Sequence, residues 1–131
     1  MSDLFHEKVP VDFIVEVFDV MREAGAHEFQ ILTKRSGRVL ELDAELDWPP
    51  NVWLGVSVED ADYLYRVDDL RETRAAIKFI CFEPLLGPVE DVDLTDIGWV
   101  IVGGESGPKA RLMQKEWACE IRDKCIARDV P

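Results

Sequence analysis

Apolar residues in this chain follow two rhythms that alternate along it. In the first, Phe13, Ile14, Val17, Phe18 and Met21 share one stripe while Asp12, Glu16, Asp19 and Glu23 fall largely elsewhere. That spacing predicts an amphipathic helix, with Pro10 suited to its first position and Gly25 to its end. In the second, short β-branched runs predict strands at His27–Thr33, Val52–Val58, Ile77–Phe82 and Trp99–Val102. The last run has no polar alternation, as expected of a strand buried on both faces of a parallel sheet. Gly55 inside the second run predicts close packing against its backbone.

Helical spacing returns between the runs. Gly37–Leu46 carries Val39, Leu40, Leu42 and Leu46, and Trp48-Pro49-Pro50-Asn51 ends it. A helix from about Asp60 to Thr73 carries Leu64, Val67 and Leu70 on one stripe with Tyr63 beside them. Lys115–Arg128 presents Trp117, Ile121, Cys125 and the Ile126 side for packing, and Asp91–Asp96 is an acidic link. Strands alternating with helices over short connections predict an α/β fold. The expected architecture is a single domain over residues 1–131 with a parallel sheet of about four strands.

Composition narrows the function. The 131 residues carry a net charge of −12, which argues against a nucleic-acid-coating surface. Apolar runs are too short for a membrane span and residues 1–25 lack a signal-peptide layout, so a cytoplasmic location is expected. Cys81, Cys119 and Cys125 form no CxxC pair and no close triplet. They read as buried or idle thiols rather than as metal ligands. GxGxxG and P-loop patterns are missing from the sequence.

The strand exits hold the candidate chemistry. They present Thr33-Lys34-Arg35, Ser57 with Glu59, Glu83-Pro84, and Gly103-Gly104-Glu105-Ser106. In a parallel sheet these four exits lie at one edge, where α/β folds bind ligands. The glycines of the last exit allow positive φ or a close backbone approach. Carboxylates suit ribose hydroxyls or an amino group, and Lys34 and Arg35 suit a carboxylate or phosphate. The plainer alternatives are helix capping by Glu59 and Asp60, solvated charges at Lys34 and Arg35, and a turn residue at Glu83. None of these exits holds a histidine, so no nucleophile–base pair is legible and the catalytic residues are unknown.

MSDLFHEKVP, FQILTKR, NVWLGVSVE, FICFEPLLGPV and WVIVGGESGPKAR, in this order, resemble a phage- and prophage-associated family of unknown function. It is named after mycobacteriophage gene products thirty-seven and sixty-eight and is regarded as radical-SAM-like. The resemblance implies a partial (β/α) barrel with S-adenosylmethionine lying across the strand ends. It also implies that Ser2, Asp3 and His6 join the strand-exit residues at that edge, although Ser2 and Asp3 also read as caps and His6 as an ordinary histidine.

Members carry a C-x₂-C-Y-A pair and a third cysteine, the ligands of a [4Fe–4S] cluster, ahead of the SDLFHE motif. This chain starts within that motif's neighbourhood. It is therefore expected to represent the central and later part of the barrel, with a cluster only where an N-terminal segment supplies it. Two functions follow as expectations. One is a truncated radical-SAM-like domain with a half-site for S-adenosylmethionine or a nucleotide. The other is a noncatalytic domain that completes its barrel with a partner chain or a second copy, since an unpaired sheet edge favours association.

Overall fold

The structure, a computed structural model, describes residues 3–131. The first helix, α1, spans Val11–Glu23 and buries Ile14, Phe18 and Met21 of the predicted stripe, whereas Val17 is half-buried and Phe13 is exposed. Pro10 stands just ahead of it as the N-cap. Strand β1 (Phe29–Thr33) follows, then α2 (Ser36–Leu42), β2 (Val52–Ser57), α3 (Tyr65–Glu72), β3 (Ile77–Phe82), β4 (Trp99–Val102) and α4 (Lys115–Arg128). The fold class is α/β, as the alternation predicts.

Two predicted helices are shorter than expected. The Gly37–Leu46 segment is helical only to Leu42 and tightens into a 3₁₀ turn over Asp43–Glu45. There Asp43 is buried and accepts hydrogen bonds from the Arg74 backbone N–H (2.8 Å) and Nε (2.9 Å). The Asp60–Thr73 segment is likewise broken. The Asp60 carboxylate accepts from the Asp62 N–H and starts a 3₁₀ turn over Ala61–Tyr63, and α3 proper begins at Tyr65. A side chain that satisfies a nearby backbone donor in this way competes with helix propagation.

The four strands are parallel and adjacent in chain order, β1-β2-β3-β4, in an open sheet that does not close into a barrel. Register sets Leu32 beside Gly55, Gly55 beside Phe79, Ser57 beside Cys81 and Phe79 beside Trp99. Alternation sorts the strand residues to two faces. Ile31, Leu54, Val56, Ile80 and Phe82 join Ile14, Phe18, Val39, Leu70 and Ile121 in one hydrophobic core. Burial of each such side chain contributes about 1.5–3 kcal/mol before entropy is counted. Leu85, Val89, Val92, Leu94 and Ile97, from the helix-free link between β3 and β4, extend the same core.

The opposite face carries Leu32, Trp53, Gly55, Phe79, Cys81 and Trp99. Phe79 is buried there but lies outside the main core. Its ring lies across Gly55, where a Cβ would come within 2.3 Å of the ring carbons. Trp99 packs beside Phe79 at 5.8 Å between ring centroids and edge-on to Trp53 at 6.0 Å. An aromatic group thus occupies the N-terminal half of this face and leaves the C-terminal half open.

The expectation for β4 needs correction. All four of its residues are only half-buried, because β4 is an edge strand. On its outer side the Val100 N–H donates to the Pro131 carbonyl at 2.9 Å. Continuous apolar character in this strand reflects one face on the core and one under the aromatic group.

Gly55→Ala is expected to destabilise the domain by about 1–3 kcal/mol, because the Phe79 ring must leave its position. A urea titration followed by tryptophan fluorescence measures the cost, and an unchanged midpoint would contradict the packing described.

Candidate functional site

Parallel pairing delivers Thr33, Ser57, Phe82 and Val102 to the same edge of the sheet. Beyond them lies a cavity of about 570 Å³, within the range of small-molecule sites. Thr33, Lys34, Arg35, Ser57, Glu83, Gly104, Glu105 and Ser106 line it, together with Asp3, Leu32, Cys81 and Pro84. Leu32, Ser57 and Cys81 belong to the strands and form an apolar-to-weakly-polar floor, and the charged residues come from the exits above.

Glu59 and Gly103 are not among the lining residues. Glu59 is only 7% exposed. One carboxylate oxygen accepts from Lys34 Nζ and the other from Arg66 Nη1 at 3.0 Å. Burial alone would push its carboxyl up, but the Lys34 hydrogen bond and charge and the Arg66 charge outweigh this and hold it below the ordinary carboxylate range. Arg66 also donates to the Ser57 carbonyl at 2.7 Å and stacks over Tyr63 at 4.2 Å, while its Nε is buried without a partner. Glu59 is thus a buried counter-ion that steadies Lys34, rather than a helix cap or a cavity wall.

Gly103 serves by close approach. A Cβ there would sit 3.0 Å from Glu83 Cδ. The Gly103 N–H donates to the Phe82 carbonyl (3.0 Å) and its carbonyl accepts from the Leu85 N–H (2.9 Å). The glycine that takes positive φ in this loop is Gly107, at 110°, rather than Gly103 or Gly104. The Glu83–Pro84 peptide is cis.

Asp3 knits the N-terminal segment to the β1 exit. Its carboxylate accepts from the Thr33 hydroxyl (2.8 Å), the Phe5 N–H (3.0 Å), the Lys34 N–H (3.1 Å) and, loosely, Arg35 Nη1 (3.4 Å). Arg38 donates to the carbonyls of His6 and Val9 and holds the same segment from below. His6 itself does not line the cavity; its Nδ1 accepts from the Lys8 N–H. Ser2 lies outside the described residues.

Glu105 is closed on itself by Arg111, whose Nε (2.9 Å), Nη2 (2.6 Å) and backbone N–H (2.8 Å) all donate to its carboxylate. Those hydrogen bonds hold its pKa down at about 2. Cys81 is buried, and burial first, then the Glu83 charge, pushes its thiol up. It is a protonated floor group at neutral pH, not a thiolate nucleophile. Cys119 and Cys125 lie away on α4. Among the described residues no group of three or more His, Cys, Asp or Glu is arranged to hold a metal ion. The cysteines here therefore do not fit as the three ligands of a [4Fe–4S] cluster. Among the same residues no helix is long and apolar enough to cross a membrane.

The sequence matches a family described as protein of unknown function, DUF5131, over residues 1–131. The chain belongs to this family. No curated protein and no solved structure matches it.

Two outcomes test the electrostatics. Arg66→Met leaves the buried Glu59 carboxylate with Lys34 as its remaining partner and is expected to cost about 1.5–3 kcal/mol in chemical denaturation. Because the Glu105 pKa is depressed, its pairing with Arg111 is complete above the ordinary value of 4.5 and fades as pH falls through about 2. Carboxyl NMR is expected to give a Glu105 midpoint near that low value and, in Arg111→Ala, a return towards 4.5.

Proposed function

We propose that this chain is a ligand-binding α/β domain whose strand-end cavity takes a small polar molecule with an anionic group, S-adenosylmethionine or a nucleotide being the leading candidates. One observation carries this reading: residues from all four strand exits, far apart in sequence, line a single cavity of ligand size. Lys34, a lining residue with a half-exposed side chain, spends one Nζ donor on Glu59 and has no second acceptor among the described residues. The Arg35 guanidinium is held only loosely, at 3.4 Å from Asp3 and 3.7 Å from Glu7. Both can turn donors to a carboxylate or phosphate.

The resemblance to radical-SAM-like phage proteins supplies the choice of S-adenosylmethionine. The residues described supply no cluster ligands, so no radical step is assigned to them. A second reading rests on β4: a half-buried edge strand offers backbone groups to another chain. Under it the domain associates with a partner or a second copy, and a monomer in sedimentation at high concentration would count against association with itself.

Calorimetric titration of S-adenosylmethionine into the whole chain tests the ligand reading. Saturable binding is expected, weakened about tenfold in Arg35→Gln and in Lys34→Gln. Absence of heat at millimolar ligand would overturn it.

A further inference from the structure

We propose that Glu83 is the cation-recognising group of the cavity, so that its ligand is dipolar, with a positive group at Glu83 and a negative group at Lys34 and Arg35. The inference rests on the cavity being a ligand site and goes further by assigning opposite charges to opposite sides of the ligand. It comes from following each carboxylate around the cavity to its partner. Asp3 is taken by Thr33, Phe5 and Lys34 donors. Glu105 is taken bidentately by Arg111. Glu59, behind the wall, is taken by Lys34 and Arg66. Among the described residues Glu83 alone of these four has neither an ion-pair partner nor a hydrogen bond to its carboxylate.

Glu83 is nevertheless held. Its side chain packs over Gly103, where Cγ, Cδ and Oε1 all lie 3.0–3.2 Å from the position a Cβ would take. The backbone on each side is tied to Gly103 by the Phe82 and Leu85 hydrogen bonds. The residue is solvent-exposed and its carboxylate has no cation of its own, so it is open to one brought by a ligand. Cys81, Glu83 and Lys34 line the same cavity, Cys81 from the strand floor and the two charged residues from different strand exits. A molecule that fills this one cavity can place an ammonium, sulfonium or amidinium at Glu83 and an anionic group at Lys34.

The test compares two probes on the whole chain by calorimetry. S-adenosylmethionine carries both charges, whereas adenosine monophosphate carries the anion without a cation at neutral pH. Glu83→Gln is expected to weaken S-adenosylmethionine about tenfold or more and to leave adenosine monophosphate unchanged, which also reports that the variant is folded. Lys34→Gln is expected to weaken both. Equal effects of Glu83→Gln on the two probes, or none on either, would overturn the role of Glu83 while leaving the cavity a binding site. Failure of both probes to bind the unmodified chain would overturn the cavity reading and this inference with it.

Discussion

Strands that pair in parallel and in chain order must all end at the same edge of their sheet. From that constraint the rest follows. It brings Thr33, Ser57, Phe82 and Val102 to one rim, and the residues just beyond each strand become neighbours despite lying far apart in the chain. Everything at the edge then depends on what keeps the sheet flat-bottomed there. Gly55 does this on the open face, because only a residue without a side chain lets the Phe79 ring lie across β2. The ring and its tryptophan neighbours fill the lower half of the face and leave Leu32, Ser57 and Cys81 as a floor.

Charge around the rim is organised in pairs rather than as a field. Lys34 is steadied by Glu59, Glu59 by Arg66, Asp3 by the β1 exit and Glu105 by Arg111. Each pairing lowers the cost of bringing a charge near an apolar floor. The net charge of the chain is strongly negative, yet the rim presents both signs. Bulk charge speaks to solubility, and local pairing decides what a cavity can attract.

The strands, the fold class and most of the cavity wall were legible because they depend on local pattern. A short apolar run and helical spacing located β3 and α4 at their observed bounds. Strand exits could be placed together because parallel order brings them there. Pairings across distance in the sequence were not legible. Glu59 looked like a strand-end ligand, but its fate was decided by Arg66 on α3, a residue that no motif marks in the sequence. A clue existed, since Arg66 lies one turn from both Tyr63 and the buried Leu70, on the inward stripe. Cys81 could likewise have been set in the cavity floor, because it alternates with Phe79 on β3 and stands beside Ser57 on β2. The burial of β4 was misread because an unbroken apolar run does not distinguish a central strand from an edge strand capped by aromatics.

The clasp between Asp3 and Thr33 gives Asp3 a second part to play. The carboxylate that ends the described chain on that side is itself part of the cavity wall. Pro131, by contrast, lies beside the β4 edge. The first described residue is thus a wall of the cavity, while the last covers a backbone donor of the edge strand.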